Sequence, residues 1–422
     1  MSNSLPKNVE VLFEIEKNFN IIEKFKYKKS TVWINIKNYI YAQSLNIGFF
    51  IENKYKFEFK KLFFFVINSL KNLILSKREV VLFVGASSGI LKIDGKVIDI
   101  YYPKDLIKDD ILYFASADLI DRMYLHKEYF KNHRVIVHSF LFSPLRNIFA
   151  KILKKFIKLD IRDIKKYLKK NNFEIFDEQI RYIYAKFIVG YWIYKIVFEF
   201  FKIKKAYIVS AYSNTEIIAV LKEKGIEIIE LQHGIIGEMH RGYNYKVKSP
   251  LLPTPNKILV YDEFWKSEIL NAGYYDEKQI RIYPKYQYKL VKDIQIYDKP
   301  FIVFTGQGIK QKEIVLFLKD SINFLKKKDI YLLYLPHPTE NFEFKIDNKY
   351  IKILNSKKFL TEQYIYSSIA HISIYSSCHF DAVHFHKKTY ILDILDGNIM
   401  KYYNCKYPEK FIFIKNIEEI KI

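Results

Sequence analysis

Short, mostly apolar runs recur along this chain, and each empties into small or polar residues. EVVLFV (79–84) is followed by Gly85-Ala86-Ser87-Ser88-Gly89, and IEIIEL (226–231) by Gln232-His233-Gly234. IYLLYL (330–335) leads to Pro336-His337-Pro338, and AHISIY (370–375) to Ser376-Ser377-Cys378-His379-Phe380-Asp381. Apolar runs of this length read as central strands of a parallel sheet, buried on both faces. Further strands are expected at 134–138, 206–211, 257–262, 301–305, near 350–354, and at 389–394, which closes the sheet. Helical patterns cover 214–224, 263–272, 310–327 and 358–368. ILKIDGKVIDIYY (90–102) alternates and turns at Asp94-Gly95, as a hairpin does. The first seventy-odd residues and 141–201 read mainly as helix.

This βα rhythm restarts once. A chain of 422 residues exceeds one core, and the irregular stretch 283–299, with Pro284 and Pro300 near its ends, reads as a linker. We therefore expect an N-terminal domain over 1–290, with extra helices before its first strand, and a C-terminal domain over 291–422. In open α/β sheets ligands sit outside the carboxyl ends of the strands. The polar clusters at the strand ends are therefore the candidate site.

Composition narrows the class. Half the residues are apolar and 17% are aromatic, which excludes a disordered chain. Two cysteines, Cys378 and Cys405, make no disulfide framework, so a reducing, cytoplasmic compartment is expected. The opening MSNSLPKNVE lacks the basic and apolar regions of a secretory signal. The apolar stretches 62–75 and 187–201 are too short and too interrupted by charge to span a bilayer. The net charge of +23 has two readings: an AT-rich coding sequence, which also enriches Ile, Asn, Tyr and Phe, or an anionic partner. No zinc spacing, RNP-like motif or helix-turn-helix favours nucleic acid. Residues 150–170 carry nine Lys or Arg against two Asp, and Leu153, Ile157, Ile161, Ile164 and Leu168 recur at helical spacing. One basic amphipathic helix there would lie peripherally on an anionic membrane or bury one face against the domain. Residues 62–75 pose the same choice.

In the C-terminal domain, Ser376 and Ser377 stand where a strand gives way to a helix, a place for a phosphate or for simple capping. Asp381, one turn on, is placed to hold a ribose hydroxyl or to face solvent. His337, kept extended by Pro338, is a candidate to stabilise a departing nucleotide, with Glu340 beside it. Gly306-Gln307-Gly308 lets backbone approach a phosphate. In the first domain the loop QHGIIGEMHRGYNY (232–245) offers His233 and Glu238 as candidate bases. Gln232, His240 and Arg241 are candidate acceptor-binding residues, the last two suited to an anionic group. His379, His384 and His386 cluster near Asp381 but lack metal-ligand spacing, so no metal is expected.

LPHPTE and YSSCHFDA resemble the C-terminal halves of bacterial GT-B transferases that build surface polysaccharides. They are most similar to CDP-glycerol glycerophosphotransferases and bacterial sialyltransferases. The resemblance covers roughly residues 226–395. It implies a GT-B-like fold, two Rossmann-like domains facing across a cleft. His337, Ser376 and Ser377 would contact nucleotide phosphates, and Asp381 would help to hold the donor. Gln232-His233-Gly234 resembles the His-Gly motif of the teichoic-acid enzymes and would make His233 the general base. Gln232 replaces the usual tryptophan, and Ile374 stands where an aspartate is usual. The expectation is an inverting, metal-independent glycosyltransferase that needs no cofactor beyond its nucleotide-activated sugar, with a CMP- or CDP-linked donor as the candidate. Its acceptor would be a surface polysaccharide or lipid-linked glycan. Polyol-phosphate transfer and a non-catalytic glycan-binding assembly role stay open beside it.

Overall fold

A computed structural model describes the chain except residues 1–5, 45–58, 75–78, 87–89, 94–95, 108, 116–133, 294, 338–345, 347, 355–358 and 396–398. The described chain forms two compact units, Lys7–Lys285 and Tyr286–Ile422.

The first unit contains a parallel sheet of seven strands. They are β1 (Glu79–Val84), β2 (Ile111–Phe114), β3 (Arg134–Ile136), β4 (Lys202–Val209), β5 (Glu227–Leu231), β6 (Lys257–Val260) and β7 (Ile280–Ile282), in the order 7-6-5-4-1-2-3. Leu82 pairs with Leu112 on one side and Ala206 on the other. Alternate residues of a strand feed opposite cores. Val80, Leu82 and Val84 join a cluster with Leu12, Trp33, Phe187 and Ile218 from covering helices, while Val81 and Phe83 pack with Phe65 and Tyr113. Burial on both faces is why β1 carries no polar residue after Glu79. The alternating segment forms an antiparallel hairpin, Ile90–Ile93 with Lys96–Asp99; Asp94 and Gly95 lie outside the described residues.

The second unit repeats the plan with β8 (Phe301–Thr305), β9 (Tyr331–Leu335), β10 (Ile351–Ile353), β11 (Ala370–Ser373), β12 (Lys388–Leu392) and β13 (Phe411–Ile414), in the order 10-9-8-11-12-13. Ile302 and Phe304 face one core, Phe301 and Val303 the other. Each sheet contains the doubly wound order 3-2-1-4-5-6, which makes both units Rossmann-like. The fold class is the expected one, α/β with helices ahead of the first strand: Lys7–Asn18 and Trp33–Ser44.

Three expectations need correction. The strand at 388–392 does not close the second sheet, because FIFI at Phe411–Ile414 pairs beyond it. β2 and β7 are strands that the apolar pattern missed; both are short, and β7 is exposed at two of its three positions. Residues 150–170 are not one helix. His138–Leu153 ends there, and a separate helix, Arg162–Lys170, buries Ile164 and Leu168. Between them Asp160 bonds the side chain of Arg162 two residues on, a pairing that helical spacing does not make. Among the described residues no helix is long and apolar enough to cross a membrane.

Candidate functional site

In a doubly wound sheet the strand order reverses beside its first strand, and the crevice at that point is where ligands bind. In the second unit the reversal lies between β8 and β11, with β9 on the other flank of β8. Three adjacent parallel strands thus bring Gly306-Gln307-Gly308, His337 and Ser376-Ser377 to one sheet edge.

The turn after β8 is tethered at its start, where Gly306 N donates to Leu335 O at 2.8 Å. Gly308 has φ +71° and Lys310 φ +55°, so the chain reverses sharply; the first of these favours glycine. The helix Gln311–Asp320 follows, and its first backbone bond runs from Ile314 N to Lys310 O. The amides before Ile314 have no carbonyl inside the helix; Glu313 N is taken by the Glu313 carboxylate, an anion that the helix dipole favours there. Glu313 in that turn pairs with Lys310 at 3.2 Å.

After β11, Ser376 is buried and its Oγ accepts from Cys378 N at 3.1 Å. Ser377 precedes the helix Cys378–His384 with its side chain exposed and no side-chain cap bond. The two serines therefore divide the work: one caps, and the other is available. Asp381 is buried, and its carboxylate accepts from Tyr288 O–H at 2.7 Å. Tyr288 in turn stacks on His384 at 3.9 Å. Asp381 thus secures the segment that enters the second unit. His337 is exposed; Pro338 and Glu340 lie outside the described residues.

Beneath this edge runs a buried polar chain. Thr305 Oγ1 lies 2.9 Å from His371 Nε2, and Thr389 Oγ1 bridges His371 Nδ1 at 2.8 Å and His379 Nδ1 at 2.6 Å. Burial holds His371 well below the usual imidazole value and brings His379 down to about 3. Both therefore stay neutral when folded, while the unfolded chain takes up protons below pH ~6.5. Stability is full above that pH and is lost as pH falls. At pH 5 the second unit is expected to be less stable than at pH 7, by about 2 kcal/mol through His379 alone, with His371 adding in the same direction. Hydrogen exchange of β8, β11 and β12 at the two pH values measures this, and His379→Leu is expected to remove about half of the difference. Equal protection at both would refute it. Among the described residues no group of three or more His, Cys, Asp or Glu is placed to hold a metal.

In the first unit the reversal lies between β1 and β4. β4 is followed by Ser210, which is left-handed at φ +58°. Its Oγ lies 2.8 Å from His233 Nε2, beyond the end of β5, and Tyr212 Oη is 3.5 Å from the same nitrogen. Burial lowers His233 to about 4, so the ring is neutral at pH 7. Its Nδ1 is enclosed and has no hydrogen-bond partner. A neutral imidazole can take a proton at the ring nitrogen that carries no hydrogen, which is Nδ1 when Nε2–H donates to Ser210 Oγ.

The rest of the loop is held from within. Gln232 is buried: its Nε2 donates to Gly234 O at 2.9 Å, and its Oε1 accepts from Tyr261 N at 2.8 Å. The His240 ring packs between Tyr212 and Tyr243, and its Nδ1 accepts from Gly242 N at 3.1 Å. Burial holds it well below its ordinary value. Arg241 Nε donates to Asn38 Oδ1 at 2.8 Å, and the guanidinium lies 4.4 Å over Tyr41. Glu238 is partly buried, and its carbonyl accepts from Asn244 Nδ2 at 2.8 Å. A Cβ on Gly242 would come within 2.6 Å of the Tyr212 ring, which is why glycine stands there.

Sequence reasoning missed Ser210, Tyr212, Asp99 and Glu230. The run of apolar residues ending at Ser210 has the same form as the strand ends that it did single out, so that signal was present. Asp99 had none. It accepts from Tyr113 O–H at 2.7 Å and Tyr101 N at 2.9 Å, and burial raises it to about 6. Glu230 accepts from Ala211 N at 2.9 Å and Tyr243 O–H at 2.7 Å, raised by burial to about 7. It ties the turn after β4 to the loop after β5.

No family model and no curated protein matches the chain, so the resemblance to CDP-glycerol and sialic acid transferases rests on motifs alone. Solved structures similar to it include the UDP-GlcNAc 2-epimerase of Methanocaldococcus jannaschii, 11% identical, which covers 80% of this chain and 89% of that one at a TM-score of 0.45. The glycotransferase of kitacinnamycin is 7% identical, with 82% and 88% covered and a TM-score of 0.45. The epimerase of Neisseria meningitidis bound to UDP-GlcNAc is 13% identical, with 79% and 93% covered and a TM-score of 0.41. Likenesses this loose carry no inference about activity.

Proposed function

We propose that this protein is a nucleotide-sugar-dependent glycosyltransferase that acts on a surface-polysaccharide or lipid-linked glycan acceptor, by inversion and without a metal. The observation that carries this reading is the pairing, at the strand reversal of the second unit, of a glycine turn opening a helix with an exposed serine on the adjacent strand end. That is the chemistry a nucleotide diphosphate needs. The donor's phosphates would sit against the amides that open Gln311–Asp320 and against Ser377, with His337 beside the leaving oxygen. His233 would accept the proton of the acceptor hydroxyl as the new C–O bond forms, and the bond to the nucleotide breaks on the opposite face of the sugar. The leaving nucleotide's negative charge would be met by amide dipoles already in place. The motifs favour a cytidine nucleotide.

Calorimetry with CMP, CDP, UDP, GDP and ADP tests the reading. One nucleotide is expected to bind, and Ser377→Ala to weaken it by about 10-fold or more, the effect of losing a hydrogen bond to a charged group. Ser376→Ala is the unsuitable variant, because it removes an internal cap. If no nucleotide binds, the transferase reading fails. If a nucleotide binds and turnover yields a phosphodiester, attack is at phosphorus and the enzyme is a polyol-phosphate transferase. Binding without any turnover would mark an assembly subunit.

A further inference from the structure

An exposed apolar area of the described first unit lies on two helices that pack together, Phe59–Ile74 and His138–Leu153. The first presents Phe63, Ile67 and Leu70 to solvent, the spacing of one helix face. The second presents Leu145, Ile148, Phe149 and Ile152 in the same way, and Phe156 just beyond it is 75% exposed. Isolated exposed apolar residues are ordinary; two adjoining stripes are not.

The charge on the two helices themselves has one sign, although Glu178 of a neighbouring helix pairs with Lys154. Neither 59–74 nor 138–158 contains an Asp or Glu, whereas Lys71, Lys151, Lys155 and Lys158 are exposed on or just beyond the same two helices. Past Phe156 a groove of about 530 Å³ opens, lined by Lys158, Arg162 and Arg181. Asp160 and Asp177, which also line it, are paired with Arg162 and Lys165. We infer that this face docks on an anionic lipid bilayer, with the two apolar stripes in the acyl boundary and the lysines among the headgroups. A second copy of the chain fits poorly, since two-fold pairing of this face would set lysine against lysine. The membrane-facing helix is thus His138–Leu153 with Phe59–Ile74; Arg162–Lys170 has already buried its apolar positions. The inference stands apart from the transferase reading, because vesicle capture needs no turnover.

Cosedimentation of the full chain with phosphatidylglycerol/phosphatidylcholine vesicles, and with phosphatidylcholine alone, tests it. Binding is expected to the anionic vesicles and to be at least tenfold weaker to the neutral ones. Ile148→Ser/Phe149→Ser/Phe156→Ser is expected to abolish binding while circular dichroism and melting stay unchanged, since these side chains are exposed. Lys151→Glu/Lys155→Glu/Lys158→Glu is expected to weaken it by about fivefold per lysine. The control Lys326→Glu/Lys327→Glu/Lys328→Glu, on exposed lysines of the second unit, is expected to leave it intact. The inference is overturned if wild type ignores anionic vesicles, or if the control variant loses binding equally. It is also overturned if light scattering shows a dimer that the triple serine variant dissolves.

Discussion

Lys37→Met is expected to destabilise the first unit by about 3–5 kcal/mol, the cost of leaving a buried charge without its partner. Lys37 Nζ lies 2.8 Å from Glu16 Oε1, and both side chains are essentially inaccessible, at 1% and 0% exposure. Desolvation lowers the lysine, and Glu16 opposes that most strongly. Glu16 also accepts from Trp33 Nε1 at 2.8 Å and from Lys246 N at 2.7 Å, while Lys37 donates to Asn244 O at 2.7 Å. The pair therefore joins Lys7–Asn18 and Trp33–Ser44 to the far end of the His233 loop. Without the lysine, Glu16 must take up a proton or admit water, and the carbonyl of Asn244 loses its donor. Urea denaturation measures the cost. Glu16→Leu/Lys37→Met is expected to recover only part of it, because an apolar pair removes both charges together but leaves Trp33 Nε1, Lys246 N and Asn244 O without partners. A loss below about 1 kcal/mol in the single variant would mean that the pair is hydrated, and would refute the expectation.

The second large effect concerns His233. In the proposed reaction His233→Gln is expected to lower kcat by about 10²–10⁴-fold, the range for loss of a general base. Nucleotide affinity should not change, because the donor phosphates are assigned to the second unit. The pH profile separates a base from a structural residue. The ring's value is lowered to about 4, and below it the imidazole is protonated and cannot accept. The acid limb of kcat/KM should therefore fall as pH drops through about 4 rather than through the ordinary value near 6.5. Ser210→Ala frees Nε2 from its neighbour and is expected to reduce kcat less while moving that limb. If His233→Gln keeps full turnover, or if the acid limb sits near 6.5 in wild type, His233 is not the base.

The sequence alone carried the class of this molecule. Strands whose core positions are all apolar, such as 301–304, must be covered on both faces, which calls for a parallel sheet with helices on each side. The restart of the rhythm after 283–299 marked a second unit. Some short strands escaped: edge strand β7 has little burial to impose a pattern, and interior β2 is only four residues long. That Gln232-His233-Gly234, Gly306-Gln307-Gly308 and Ser376-Ser377 follow strands was legible, because leaving a sheet edge changes composition abruptly.

What each side chain does there was decided by tertiary structure. Ser376 and Ser377 are equivalent on paper, yet one caps its helix and the other faces outward. Nothing in the sequence sets His233 apart from His371, His379 and His240; the fold gives each its own internal partners and leaves one ring nitrogen of both His233 and His379 enclosed without one. Asp99 and Glu230 carry no local signal, and only burial beside tyrosine hydroxyls perturbs them. The basic segment 150–170 showed the right periodicity for a membrane helix, but packing buried its Ile164 and Leu168 and left the preceding helix uncovered. Periodicity reports that a face is apolar. Whether that face meets the core or the solvent depends on which surfaces the rest of the fold leaves free, and that is a property of contacts between residues far apart in the chain.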